Sequence, residues 1–147
     1  MIARQWLQEG IHEPPELWTS PWVRTQSVAA ELARLWHVSW HVDARLSELC
    51  FGVWEGRKYR EIAENDGERF QHWTLNYERE APPQGESAAA LRARVGAWLE
   101  EQSSRKGAVL AVTHAGVIRT SRAVIAGLPY SSVVGDAIPH LRLERLR

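Results

Sequence analysis

The 147-residue chain has a single cysteine, no long apolar run and no excess of charge of either sign. One cysteine, Cys50, excludes an internal disulfide. No stretch approaches the roughly 20 apolar residues that a membrane-spanning helix needs. Lys and Arg number 18 and Asp and Glu also number 18, a balance that argues against a general nucleic-acid binder. We therefore expect neither a membrane nor a nucleic acid as a partner.

Signals for a metal site and for export are also missing from the sequence. No group of Cys and His residues has the spacing of a zinc site, so we expect no metal and no cofactor. Residues 1–6 (MIARQW) lack the long apolar stretch of a signal peptide, so we expect a cytoplasmic protein. Residues 1–10 are predicted to form the end of an amphipathic helix that has no N-cap before it.

The residues that are present indicate a single α/β domain. The chain is 44% hydrophobic and 24% charged, which is typical of a folded globular domain of this length. Apolar runs and helical spacings alternate, which predicts a mostly parallel sheet. The predicted strands are 16–19, 38–42, 107–113 and an edge strand at 141–143, and the predicted helices are 20–36, 59–77 with a break near residues 66–67, 87–102 and 117–126. Ser20 and Ser87 are predicted N-caps.

His114 stands where a predicted strand ends and a helix begins, within residues 108–119 (AVLAVTHAGVIR). Ligands bind at such a point in an open α/β sheet, because backbone N–H groups and the helix dipole converge there. His114 is therefore a candidate ligand of an anion. The alternative, a histidine that only caps the helix, stays open on this segment alone.

Three further segments precede it, and the four together carry a family resemblance. They are residues 19–29 (TSPWVRTQSVA), 46–56 (LSELCFGVWEG) and 83–87 (PQGES). In this order they closely resemble the histidine phosphatase superfamily, which has the phosphoglycerate mutase-like fold, from about residue 17 to residue 129. The short FGVWEG version looks most like small phosphatases of the alpha-ribazole phosphatase type.

The resemblance implies a three-layer αβα sandwich and a two-step reaction that requires no metal. A histidine attacks phosphorus, a carboxylic acid protonates the departing alcohol, and water hydrolyses the phosphohistidine. By the same resemblance, Arg24 clamps the phosphate oxygens, Glu48 is the general acid, and His114 stabilises the phosphoryl charge as a protonated imidazole. Glu55 is the rival for the acid, although it better fits a brace for its own loop.

One motif of that family is absent from the sequence. Members begin with a short strand that ends in Arg-His-Gly, whose histidine is the nucleophile, and this tripeptide occurs nowhere in the 147 residues. His12 follows no predicted strand and precedes two prolines, so we do not take it as a substitute. We therefore expect a single domain over residues 1–147 that is N-terminally incomplete, with a sheet that lacks its first, interior strand.

The sequence favours a phosphomonoesterase that acts on a small phosphorylated metabolite through a phosphohistidine, with the nucleophile not in this chain. One alternative is a catalytically dead pseudo-phosphatase that binds phosphate or a partner. Another is phosphoryl transfer of the phosphoglycerate mutase type, which the short insert between residues 55 and 85 disfavours. Most of the eight tryptophans are expected to pack in the core or on the surface, and the alternative is that one or two of them, Trp54 or Trp73, wall a substrate pocket against an aromatic group. A homo-oligomer is compatible with the sequence.

Overall fold

The computed structural model describes residues 16–141 and 143–146. In this part of the chain, strands and α-helices alternate much as the sequence predicts. The strands are β1 (Glu16–Thr19), β2 (Trp40–Val42) and β3 (Val109–Val112), and the helices are α1 (Val23–Trp36), α2 (Tyr59–Asn65), α3 (Gly67–Asn76), α4 (Ala88–Ser103) and α5 (Ala115–Ala126). The predicted helix within residues 1–10 and His12 lie outside the described residues.

The three strands form a parallel sheet in the order β2-β1-β3, with β1 in the middle. Their register pairs Thr19 with Val42 on one side and with Val112 on the other. All three strands therefore end at the same edge of the sheet. The segments that follow them, which begin at Ser20 after β1 and at Thr113 after β3, start side by side there.

Helix α1 covers one face of the sheet. Leu17 of β1 and Leu110 of β3 pack there against Leu32 and its neighbours Ala29 and Ala33, all of them buried. These apolar positions recur at helical spacing along α1, which is why this segment folds as a helix against the sheet. Complete burial of a side chain such as Leu17 stabilises the fold by about 1.5–3 kcal/mol.

Helices α4 and α5 cover the opposite face. Trp18, which points away from α1 because side chains alternate along a strand, packs there with Leu91, Val95 and Trp98 of α4 and with Val117 of α5. Helices on both faces of a parallel sheet make the predicted three-layer αβα sandwich. The α/β fold class is therefore confirmed.

Two local predictions are wrong and one is confirmed. Ser20 is not the N-cap of α1, because Trp22 occupies that position and no side chain caps it. The predicted edge strand is not formed at its two described positions: Leu141 lies in a turn with φ of 58°, which is incompatible with extended backbone, and Leu143 has no regular structure. Ser87 does cap α4, since its hydroxyl accepts from the Ala90 N–H at 3.2 Å.

Trp54 and Trp73 belong to an aromatic cluster that fastens α2 and α3 to the preceding loop. Trp54 is 2% exposed, donates from its indole N–H to Asp66 at 3.1 Å, and packs edge-on against Phe70 and Trp73. Packing accounts for both tryptophans. Trp54 also borders a cavity of about 130 Å³ beside Phe51, so its predicted contact with substrate stays a prediction.

Candidate active site

His114 lies at the carboxyl edge of the sheet, as the N-cap residue of α5 directly after β3. Its side chain is only 7% exposed. The imidazole has two hydrogen-bond partners: Nε2 is 2.8 Å from the Ser20 hydroxyl, and Nδ1 is 3.0 Å from a terminal nitrogen of Arg24. The structure thus brings together His114 and Arg24, which are 90 residues apart in the sequence.

Arg24 leaves most of its guanidinium N–H groups without a partner in the described part of the chain. It is exposed in the first turn of α1, and its guanidinium carbon lies 4.6 Å from the centre of the Trp22 ring. Of its five N–H groups, one meets His114, and the others have no hydrogen-bond partner within residues 16–141 and 143–146. A guanidinium in this state can accept an anion in a bidentate fork.

The hydrogen bonds of His114 determine which ring nitrogen carries the proton. A guanidinium only donates, so Nδ1 accepts from Arg24, and Nε2 is the nitrogen that donates, to Ser20. The Ser20 hydroxyl lies 2.6 Å from that of Thr25, which in turn donates to the Trp22 carbonyl at 2.8 Å. Ser20 and Thr25 are both buried. The imidazole is therefore neutral, with its hydrogen on Nε2.

The electrostatic surroundings of His114 agree with this assignment. Burial lowers the pKa of His114 below its usual value, and the charges of Arg24 and Arg94 lower it further, while Glu48 opposes them. This lowered pKa favours the neutral imidazole in the free site, and the protonated imidazole expected during phosphoryl transfer stays a prediction. An anion placed beside His114 would act in the opposite direction and favour its charged form.

Glu48 lies at the same end of α5 as His114. Its carboxylate accepts from the Gly116 N–H at 3.2 Å and from the N–H of Leu49 at 3.0 Å. Gly116 is the second residue of α5, so the carboxylate occupies the positive end of the helix dipole. A Cβ on Gly116 would displace the Glu48 carboxylate, so the glycine lets the carboxylate approach this part of the backbone.

The loop that carries Glu48 is joined to the loop at residues 83–87. The Val53 N–H donates to the Pro83 carbonyl at 3.0 Å, and the Glu86 N–H donates to the Cys50 carbonyl at 2.8 Å. Gly52, with φ of 57°, turns its backbone against Pro83 where a side chain would not fit. Two of the four sequence motifs therefore form one support for Glu48.

Arg94 of α4 completes that support. Its guanidinium forms a two-point ion pair with Glu86, at 2.7 and 2.8 Å. It also donates to the backbone carbonyls of Arg45 at 2.6 Å and of Glu48 at 3.3 Å. The Glu48 loop is thus tied to α4 on one side, and the Thr113 hydroxyl ties it to β3 through the Leu46 carbonyl at 2.7 Å.

A model of the histidine phosphatase superfamily (branch 1) matches residues 2–146. The chain belongs to this superfamily. Curated relatives include the adenosylcobalamin/alpha-ribazole phosphatase of Escherichia coli, 28% identical over 68% of this chain and 48% of the relative. Phosphoserine phosphatase 1 of Hydrogenobacter thermophilus is 28% identical over 78% of this chain and 56% of the relative. The chain thus spans about half the length of these relatives.

Solved structures agree with this membership. The alpha-ribazole phosphatase of Shigella flexneri superposes with a TM-score of 0.73 at 26% identity, over 86% of this chain and 63% of that structure. The fold around the site is therefore that of the histidine phosphatase superfamily.

Several of the site residues were missed by sequence reasoning. Ser20 was interpreted as a helix cap, whereas its hydroxyl serves His114, and Trp22 and Thr25 carried no separate signal. Arg94 did carry one, because it lies three residues after Leu91, at the border of the buried stripe of α4. An arginine in such a stripe usually has an ionic partner.

Glu55, the rival acid, is exposed and accepts from the Phe51 N–H at 3.1 Å, which closes its own loop.

Within residues 16–141 and 143–146, no group of three or more His, Cys, Asp and Glu side chains could hold a metal ion. No helix in that same part of the chain is both long and apolar enough to cross a membrane.

Proposed function

We propose that this site binds the phosphoryl group of a small phosphate ester and that the protein acts as a phosphomonoesterase through a phosphohistidine intermediate. The observation that carries the proposal is the convergence of three groups at the N-terminus of α5. They are the N–H groups of Arg24 that have no partner in the described part of the chain, the imidazole of His114 and the carboxylate of Glu48. Donors and a helix dipole aimed at one point favour a phosphoryl anion.

Each group has a role in the proposed reaction. Arg24 holds the phosphoryl oxygens, and His114, whose charged form the bound anion favours, donates from Nδ1–H to one of them while a histidine nitrogen attacks phosphorus and the bond to the alcohol oxygen breaks. A protonated Glu48 gives its proton to that oxygen. Water then attacks the phosphohistidine, loses a proton to the Glu48 carboxylate and releases inorganic phosphate, which restores the site.

The nucleophile is a histidine other than His114. Both ring nitrogens of His114 already have partners, Ser20 at Nε2 and Arg24 at Nδ1. The Arg-His-Gly tripeptide that supplies the nucleophile in the superfamily does not occur in the 147 residues. A second candidate is a protein that binds phosphate esters without turning them over, because the contacts of Arg24 and His114 that favour a phosphoryl anion do not themselves need a nucleophile.

The proposed substrates are small phosphorylated metabolites. Alpha-ribazole phosphate and phosphoserine are the first to test, because relatives are an alpha-ribazole phosphatase and a phosphoserine phosphatase. Trp22 is 44% exposed beside Arg24, which offers an apolar surface for the alcohol part of the ester.

Release of phosphate from these esters and from p-nitrophenyl phosphate tests the proposal. We expect Glu48→Gln to lower kcat by about 10²-fold or more, because the amide has no acidic proton to give. Glu55→Gln is the matched control, since Glu55 lies on the same loop and only accepts from the Phe51 N–H. Its kcat should stay within about threefold of the wild type, as general-acid roles account for far larger losses.

Equal activity of Glu48→Gln and the wild type would contradict the assigned acid. A wild-type protein that binds orthovanadate tightly but releases no phosphate from any ester would contradict the phosphomonoesterase. That result would support the second candidate.

A further inference from the structure

We propose that Ser20 is a positioning residue: held by Thr25, its hydroxyl accepts from Nε2–H of His114, and the Nδ1 lone pair thereby orients Arg24 in the site. The inference rests on the proposed function for its consequence in phosphate binding. It goes beyond that function because neither residue is assigned a role in it.

The direction of the hydrogen bonds carries the argument. The Thr25 hydroxyl is 2.8 Å from the Trp22 carbonyl and 3.2 Å from the Ser20 carbonyl, and both are acceptors. A Thr25 hydroxyl that donates to either of these carbonyls has no second hydrogen for Ser20. The 2.6 Å contact with Ser20 must then use the Ser20 hydrogen, so the Ser20 oxygen is left as an acceptor toward His114.

Arg24, at the other end of this series of hydrogen bonds, also indicates that the hydrogen is on Nε2. Arg24 can only donate, and it lies 3.0 Å from Nδ1. A hydrogen on Nδ1 would place two donors against each other and leave Nε2 as an acceptor. Arg24 therefore requires the tautomer with hydrogen on Nε2, and the contacts of Thr25 on the opposite side of His114 are consistent with that tautomer.

Burial makes this arrangement costly to change. Ser20 is fully buried, Thr25 is 4% exposed and His114 is 7% exposed, so water has little access to replace a lost partner. The charged groups that face His114 are Arg24 from α1, Glu48 from its loop and Arg94 from α4. Of these three, Arg24 is the one that hydrogen-bonds to the ring.

Nitrogen-15 NMR of the full chain, with long-range proton couplings of the imidazole rings, reads the tautomer directly. His114 is assigned by comparison with His114→Gln. We expect an unprotonated Nδ1 and a protonated Nε2 in the wild type near neutral pH. In Ser20→Ala, Nε2–H loses its acceptor, so we expect a mixture of tautomers and weaker binding of inorganic phosphate by about tenfold.

Ser121→Ala is the matched control for Ser20→Ala. Ser121 is 5% exposed, and its hydroxyl donates within α5 to the Val117 carbonyl at 2.9 Å. The control variant should keep the tautomer and the phosphate affinity of the wild type. Thr25→Ser keeps the hydroxyl and should also behave as the wild type, whereas Thr25→Val should shift His114 toward the mixture.

A protonated Nδ1 in the wild type, or an unchanged His114 spectrum in folded Ser20→Ala and Thr25→Val, would overturn the proposal. A change of equal size in Ser121→Ala would overturn it as well, because the effect would then be general. If the wild type fails to bind phosphate, the proposed function fails while the spectra still decide the role of Ser20.

Discussion

At His114, burial and two positive charges act against one negative charge. The histidine is 7% exposed, yet two guanidinium groups and a carboxylate act on it. Burial is the largest of these effects, and it keeps the pKa of His114 below its usual value of about 6.5. In the free site the neutral form of the His114 ring is therefore favoured, and a bound anion would favour the charged form.

This pKa predicts how stability depends on pH. Between the pKa of the folded protein and about 6.5, the unfolded chain binds more protons at this residue than the folded one. The contribution of His114 to the free energy of unfolding is therefore complete above about pH 6.5 and declines as the pH falls toward the folded pKa.

Thermal unfolding of the wild type and of His114→Gln between about pH 8 and pH 5 measures this contribution. The other histidines titrate in both proteins and cancel in the comparison. We expect the wild type to lose stability relative to His114→Gln below about pH 6.5. A difference in Tm that stays constant over the whole range would contradict the assignment.

At the scale of elements, the N-terminus of α5 organises the site, because His114 caps it and Glu48 accepts from its second N–H. Helical spacing and buried apolar runs predicted α4, α5 and β1 close to their observed bounds, since these patterns follow from burial of one face. The contacts of Glu48 with Gly116 could not be predicted in this way. They join segments that are 68 residues apart, and no local sequence pattern predicts a contact between such distant segments.

Ser20 illustrates the same limit within a single element. A serine before an apolar helical segment has two competing uses for its hydroxyl, capping the helix or serving a distant side chain. The sequence favours capping. The structure shows the other use, because Nε2 of His114, which follows β3, lies 2.8 Å from the Ser20 hydroxyl. Only the three-dimensional arrangement of strands decides between them.

Two helical glycines provide a matched test of the α5 end. Alanine normally stabilises a helix interior by about 0.5–1 kcal/mol relative to glycine. At Gly96 of α4 an added Cβ meets nothing within 4 Å, so we expect Gly96→Ala to raise the free energy of unfolding. At Gly116 the Cβ would displace the Glu48 carboxylate from its backbone N–H donors, so Gly116→Ala should gain less stability than Gly96→Ala and should lower the rate of phosphate release.

Denaturant unfolding and a phosphate-release assay of the two variants compare these effects. A gain of stability of the same size at both positions would show that Glu48 does not pack against Gly116 as described. An unchanged rate of phosphate release in Gly116→Ala would show that the position of Glu48 does not matter for the reaction.

At the scale of the whole molecule, the sandwich brings four distant segments to one edge of a three-stranded parallel sheet. Helix α1 contributes Arg24, α5 contributes His114, the loop after β2 contributes Glu48, and α4 fastens that loop through Arg94. Membership of the histidine phosphatase superfamily accounts for the order of these segments along the chain. The central claim, that they form a site for a phosphoryl group, concerns the folded molecule as a unit.

The affinity for orthovanadate, a phosphate-like anion, tests that claim most directly. It is measured by calorimetry for the wild type, for Arg24→Ala and for Arg34→Ala. Arg34 is the matched control, because it lies on the same helix, is exposed and pairs only with Glu31 in the described part of the chain. We expect Arg24→Ala to bind at least about tenfold more weakly, since it loses a charge-assisted clamp, while Arg34→Ala binds as the wild type does. Equal affinity of all three proteins, or no binding by the wild type, would contradict the account.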